Sequence, residues 1–314
     1  MERMKKILFG ALLLCAMTVW ADVPCYSELE GLKGMQILDA LQAKISDHTV
    51  LSYSSIWASN TGADDRGDGT NNIWDMYSDC VFSKYDKCSS GESTTNCECY
   101  NREHSVPKSW WGGSQDVPMY TDLHHVIPTD RLANSQRDAW PLGKVTNVEW
   151  TNGSSKLGYG TFGSSGNNKT FEPADEYKGD FARIYFYMAT CYKGQNLAVA
   201  GKGYQVFTTA GLLTAKARQL YLEWHRQDPV SDKERARNKK VAQKQGNRNP
   251  YIDMPELVEY IWGNKSLVTY TCQGADIESV EESAPRAIKR IENGALYIEL
   301  PDGTRYTTTG ARMR

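Results

Sequence analysis

The 314-residue sequence has no excess of charge of either sign: 36 lysines and arginines stand against 38 aspartates and glutamates, a net −2. That excludes a chain held on a polyanion by its overall field, so any affinity for nucleic acid must come from local patches. No internal repeat is present, which excludes a solenoid or a propeller. The five histidines show no HExxH spacing. The cysteines form no CxxC pair, because Cys97 and Cys99 are separated by one residue and no histidine sits at finger distance, so a zinc finger is excluded. The stretch Asp64-Asp65-Arg66-Gly67-Asp68-Gly69 looks like a calcium loop but lacks the closing glutamate, and it reads as a solvated turn.

At the N-terminus, Arg3, Lys5 and Lys6 precede an apolar run of 14 residues, Ile7 to Trp20, and small residues lead to a cut after Ala21. The run is too short to span a bilayer, so residues 1–21 read as a cleaved signal peptide. The mature chain is expected to carry no membrane span. It is secreted or periplasmic, with cell-surface association as a further option. Without Cys15, seven cysteines remain: Cys25, Cys80, Cys88, Cys97, Cys99, Cys191 and Cys272. An oxidising compartment predicts bridges within the Cys80–Cys99 cluster and one free thiol, with the connectivity left open.

With 40% apolar residues, the chain can bury one large domain or one domain plus an appendage. Apolar spacing predicts an amphipathic helix over 27–48 and a helix over 175–193, with a further helix over about 212–227. Ser231 and Glu234 form a capping box opening a basic helix that ends near Gly246, and Asp253 with Pro255 begins another that Gly263 ends. Residues 58–73 and 151–170 read as polar loops. Residues 22–272 are taken as the main domain and 273–287 as a polar, acidic linker. Residues 288–314 are a β-rich tail, with strands at 295–300 and 305–308 joined across Pro301-Asp302-Gly303, and the tail is a candidate sorting segment.

The chemistry concentrates between Asn101 and Val145. Asn101-Arg102-Glu103-His104 follows a short β-prone stretch. A loop rich in proline, tryptophan and glycine comes next, then a strand over Asp122–Ile127, then a helix starting at Pro128-Thr129-Asp130 that carries Asn134 and Arg137. This is a compact ββα unit in an α+β fold. Phosphodiester hydrolysis needs a base for water, and a neutral imidazole such as His104 suits physiological pH. It also needs a hard cation, which prefers oxygen ligands such as the Glu103 carboxylate and the Asn134 amide. Consecutive strand residues point to opposite faces, so Glu103 and His104 can share a site only at a strand end or twist.

These stretches resemble the endonuclease I family of exported non-specific nucleases with a His-Me finger (ββα-metal) core. The resemblance is carried by Asn101-Arg102-Glu103-His104-Ser105-Val106-Pro107-Lys108-Ser109, by residues 122–130, by Ala133-Asn134-Ser135-Gln136-Arg137 and by residues 141–145. Phe171-Glu172-Pro173, residues 224–230 and Gln245-Gly246-Asn247-Arg248-Asn249-Pro250 also look like the family, so the resemblance covers about residues 25 to 263. The resemblance implies that His104 is the general base, that Glu103 and Asn134 bind Mg²⁺ (Mn²⁺ or Ca²⁺ as substitutes), and that a backbone carbonyl near Tyr120 orients the imidazole. Some members place an arginine in the loop between the two strands. The loop here, Val106 to Tyr120, has none, so Arg102, Arg137 and Lys108 compete for the scissile phosphate. Arg102, Arg137, His124 and Arg248 are the candidate substrate contacts. The expected partner is DNA, with RNA as a second substrate and no stable protein partner.

Two other classes stay open at this point. One is a zinc hydrolase with His104, His124 and His125 as ligands. The other is a non-catalytic surface-binding protein, which gives no reason for Glu, His and Asn to fall in this order.

Overall fold

The computed structural model describes residues 26–88, 95–166, 168–272, 288–292, 295–299, 304–307 and 312. The signal peptide (1–21), Cys15, Cys25, the linker (273–287) and the turn at 301–303 lie outside the described residues. Residues Tyr26–Cys272 form one compact unit.

The first helix is shorter than its apolar pattern. α1 covers Met35–Ile45, and only a single 3-10 turn precedes it at Ser27–Leu29. Gly31 and Gly34 adopt positive φ (79° and 51°), and a Cβ on Gly34 would lie 2.8 Å from the Ser266 carbonyl, so the chain turns there instead of continuing the helix. Conversely, a helix forms where composition predicts a loop. α2 (Ile56–Ala63) exists because Ile56 and Ala63 are buried with Leu123, Val126 and Val241, and that burial outweighs the weak propensity of the polar, glycine-containing sequence.

Two short strands, β1 (Asn72–Ile73) and β2 (Phe82–Ser83), pair antiparallel. β3 (Tyr100–His104) and β4 (Val126–Asp130) form a two-stranded antiparallel sheet, and α3 (Arg131–Arg137) follows β4 directly, giving the ββα unit. The expected loop at 151–170 is instead sheet in part: β5 (Val145–Asn152), β6 (Ser155–Gly160) and β7 (Thr170–Glu172) pair in order. Gly153 at φ 63° and Ser154 make the two-residue connection between β5 and β6. The sequence conceals these strands because β5 is mostly exposed and therefore polar.

The core sits around α4 (Lys178–Cys191). Every residue of α4 after Lys178 is buried, not only the one face that the apolar spacing marks. Inside it, Arg183 is neutralised by Glu234 at 2.6 and 2.7 Å. α5 (Ala215–Gln227) packs on α4, and α6 (Asp232–Gln245) opens on the capping box of Ser231 and Glu234 and ends at Gly246 in the left-handed region. The helix expected after Asp253 is split into α7 (Pro250–Asp253) and α8 (Leu257–Ile261).

Cys80–Cys97 and Cys88–Cys99 are disulfides within the expected cluster, Cys272 is also disulfide-bonded, and Cys191 is the free, buried thiol among the described residues. In the C-terminal unit, β8 (Ile288–Glu292), β9 (Ala295–Glu299) and β10 (Arg305–Thr307) form an antiparallel sheet with β9 central, so the expected hairpin gains a third strand.

Candidate active site

Tyr100, wholly buried, anchors the start of β3, and the strand then runs to its end at His104, paired with Val126. The strand end resolves the facing problem: Glu103 and His104 both line one cleft of ≈300 Å³, together with Tyr53, Arg102, Lys108, Ser109, Asn134 and Asp138. α3 delivers Asn134 from the other side. Its start is fixed by Asp130, whose side chain accepts from the Ala133 amide, and Asp130 is itself placed by Asp75, which accepts from the Asp130 amide (2.8 Å) and the Thr129 hydroxyl (2.6 Å).

His104 Nε2 donates to the Tyr120 carbonyl at 2.9 Å, which leaves the lone pair on Nδ1. The ring stacks on Tyr120 (5.1 Å between centroids), with Tyr53 at 6.4 Å nearly parallel and Trp111 edge-on. Burial, reinforced by His125, pushes its pKa down to about 3, so it is a neutral imidazole at physiological pH. Burial pushes the Glu103 carboxyl the other way, up to about 7, against the pull of Arg137 and the Tyr77 hydroxyl. Both of those donors reach the same oxygen, Oε1, at 2.5 Å from Arg137 and 3.1 Å from Tyr77, so neither engages Oε2. Asn134 Nδ2 donates to Asn101 Oδ1 (2.7 Å) and the Arg102 carbonyl (3.4 Å), which commits the amide nitrogen and spares the amide oxygen. A carboxylate oxygen and an amide oxygen in one cleft form a donor set that fits a hard divalent cation.

Of the expected substrate contacts, only Arg102 lines the cleft. Its guanidinium lies over the Tyr53 ring (3.6 Å) and the Trp57 ring (4.3 Å) and donates to the Tyr53 carbonyl. Arg137 is a correction: it is wholly buried, bonded to Glu103, the His104 and Ser105 carbonyls and the Tyr185 hydroxyl, and so it cannot reach a phosphate. His124 is likewise buried against Tyr187, with Nε2 3.4 Å from the Asn247 carbonyl. Arg248 is taken up by Asp253 and does not line the cleft.

The expected strand over 122–127 is a turn as far as His125, since the Asp122 carbonyl accepts from the His125 and Val126 amides. For that reason His124 and His125 do not alternate across a sheet, and both are buried. Among the described residues His104, His124 and His125 do not bring their ligand atoms together as a metal-holding group, so the three-histidine zinc arrangement is not formed. A separate group could hold a divalent metal: His48, Asp122 and Cys191 place ligand atoms within 4.8 Å of one another, and none of them lines the cleft. Asp122 Oδ2 there already accepts from the Tyr187 and Tyr192 hydroxyls at 2.7 Å each, so the group also serves as a buried hydrogen-bond centre. Tyr53, Tyr77 and Asp75 shape the site from outside the Asn101–Val145 stretch and gave no sequence signal.

Residues 33–256 match the family model described as Endonuclease I. An extracellular ribonuclease of Bacillus subtilis is 34% identical over 250 residues, covering 77% of this chain and 80% of its own. An extracellular ribonuclease of Bacillus amyloliquefaciens is 34% identical over 244 residues, covering 76% and 77%. An extracellular deoxyribonuclease of Aeromonas hydrophila is 35% identical over 81 residues, 26% of this chain and 28% of its own.

Proposed function

The chain belongs to the endonuclease I family and is a nuclease, and from that premise we propose that it hydrolyses phosphodiester bonds by a one-cation, one-histidine mechanism. The observation that carries the reading is the His104–Tyr120 hydrogen bond beside Glu103 in a single cleft with Asn134. His104 Nδ1 takes a proton from water as the water oxygen attacks phosphorus, and the bond from phosphorus to the 3′ oxygen breaks. Glu103 Oε2 and the Asn134 amide oxygen would hold the cation, Mg²⁺ by preference with Mn²⁺ or Ca²⁺ as substitutes. When bound, it neutralises charge on the phosphorane-like transition state and the leaving 3′ oxygen. Arg102 and the exposed Lys108 supply the remaining positive charge in the cleft, since Arg137 is committed behind it.

The attacking group is water rather than a 2′-hydroxyl, so both DNA and RNA are substrates. That agrees with relatives named as a ribonuclease and as a deoxyribonuclease. Action outside the cytoplasm is supported by the N-terminal export pattern, the disulfides and the extracellular relatives. Among the described residues no helix is long and apolar enough to cross a membrane.

The test pairs supercoiled plasmid with an RNA carrying one 2′-deoxynucleotide, each incubated with Mg²⁺, with EDTA, and with His104→Ala protein. Cleavage of both with Mg²⁺ and none with EDTA is expected. The His104→Ala protein should be slower by about 10²–10⁴. Wild-type turnover in that variant refutes the base assignment, and a block at the 2′-deoxy position refutes the water mechanism.

A further inference from the structure

Beside the catalytic cleft lies a larger groove of ≈610 Å³, lined by Ser54, Trp57, Gly62, Asp65, Lys84, Tyr85 and Lys87. The two share a wall, because the Arg102 guanidinium covers Tyr53 on the cleft side and Trp57 on the groove side. The groove's outer lip is fixed to the catalytic strand. Tyr100 exchanges backbone hydrogen bonds with Asp86 and Cys88, its hydroxyl donates to the Lys84 carbonyl at 2.7 Å, and the Cys80–Cys97 and Cys88–Cys99 disulfides close the segment at both ends. Tyr100 to Glu103 spans about 10 Å of strand, so the lip stands at a set distance from the reacting centre.

The lining has the chemistry of a nucleotide platform. Tyr85 is 72% exposed, which burial in this chain does not explain. Lys84 Nζ lies 5.3 Å from the Tyr85 ring centroid, and Lys87 Nζ lies 5.9 Å from that of Trp57. Aromatic faces flanked by cations are the surface on which unstacked bases rest while their phosphates are neutralised. A duplex offers its base faces to neither ring, because they are stacked inside it. Among the described residues Asp65 is the single carboxylate in the lining, and its Oδ1 accepts from the Gly67 amide at 2.7 Å.

We propose that this groove seats an unstacked, single-stranded segment of nucleic acid next to the scissile phosphate, with a base on the exposed Tyr85 ring and phosphates on Lys84 and Lys87. The assignment rests on the nuclease reading of the neighbouring cleft, and it gives the enzyme a preference for single strands.

The test is direct binding of fluorescein-labelled oligo(dT) of about a dozen nucleotides to the full chain in EDTA, by anisotropy. Tyr85→Ala is expected to weaken binding about tenfold and Tyr85→Phe to restore it, because stacking needs the ring and not the hydroxyl. Lys84→Gln/Lys87→Gln should lower the slope of log Kd against log salt by roughly 1.4, about 0.7 for each phosphate lost. Unchanged affinity in Tyr85→Ala, an unchanged salt slope, or equally tight and Tyr85-sensitive binding of a duplex overturns the proposal. So does failure of the wild-type chain to bind the strand at all. His104→Ala protein separates the two readings: if it cleaves at the wild-type rate while binding of the strand stays sensitive to Tyr85→Ala, the catalytic reading fails while the groove stands.

Discussion

Arg137→Met removes the one guanidinium that faces Glu103 and leaves the backbone of α3 intact. Arg137 is wholly buried, and four groups depend on it: Glu103 Oε1 at 2.5 Å, the His104 carbonyl at 3.1 Å, the Ser105 carbonyl at 2.5 Å and the Tyr185 hydroxyl at 3.3 Å. Removing one partner of a buried ion pair costs about 3–5 kcal/mol, here because Glu103 must take up a proton and the carbonyls and hydroxyl that Arg137 bonded lose their donor. At about 2–4 °C per kcal/mol for a unit of this size, the melting temperature should fall by roughly 6–20 °C. Stability alone does not single out a role in the site, so the assay compares this variant with Arg183→Met. Arg183 is equally buried, but it is paired with Glu234 and not with a carboxylate of the cleft. Both variants should melt lower. Only Arg137→Met should need more Mg²⁺ for half-maximal cleavage, and its activity should recover as pH rises. The cause is that Arg137 is the chief group opposing the burial that already lifts Glu103 to about 7; without it the carboxyl stays protonated at neutral pH. An Arg137→Met protein with the wild-type Mg²⁺ requirement refutes the reasoning, and so does an equal Mg²⁺ shift in Arg183→Met.

Burial holds the His124 pKa down to about 4 from 6.5, so the unfolded chain binds the proton first as pH falls; the stability His124 confers is present above pH 6.5 and lost towards pH 4. At 1.36 kcal/mol per unit this is about 3 kcal/mol, and His124→Gln should flatten the fall in urea midpoint between pH 7 and 4.5. Cys80→Ser/Cys97→Ser opens a closure with a sequence separation of 17. It should cost about 3 kcal/mol, read as a lower melting temperature, and an unchanged melt would show that the loop is held by its other contacts. We also propose that residues 273–314 serve export or surface attachment; truncation after Cys272 should leave turnover and melting temperature unchanged, and a marked fall in either would place the tail in the catalytic fold.

The sequence is most legible where function and local structure use the same residues. That Glu103, His104 and Asn134 meet in one cleft is readable because they fall in a short ordered stretch, and the Ser231–Glu234 capping box is readable because both of its bonds are local. Arg137 is misread for a physical reason. Its spacing from Asn134 places both on α3, but whether a guanidinium turns outward to a phosphate or inward to a carboxylate depends on Tyr77, 26 residues before Glu103, and on Tyr185 of α4. His124 and His125 fail in the same way. The pattern suggests a strand, and the Asp122 hydrogen bonds to Tyr187, Tyr192 and Gln245 impose a turn instead. α2 escapes notice because its burial comes from partners distant in sequence, and the β5–β7 sheet because β5 is mostly exposed and polar.

Glu103 and His104 are neighbours in sequence, and the same burial moves both towards neutrality, raising one and lowering the other. For the base role proposed for His104 that is the state required, since a base must hold an open lone pair, and the Tyr120 carbonyl selects which nitrogen keeps it. For the ligand role proposed for Glu103 it is the idle state, since a protonated carboxyl is a poor ligand. Arg137 alone does not overcome the burial, although it binds at 2.5 Å. Its charge is shared with two carbonyls and a hydroxyl and reaches only Oε1. A second positive charge on the Oε2 side would complete the ionisation that Arg137 begins. On the proposed mechanism the cleft would gain its anionic ligand together with the cation, while the proposed base beside it would need no change of protonation. Cleavage should accordingly depend on divalent cation and pH in a coupled way, with the cation requirement falling as pH rises through about 7, where Glu103 ionises without help.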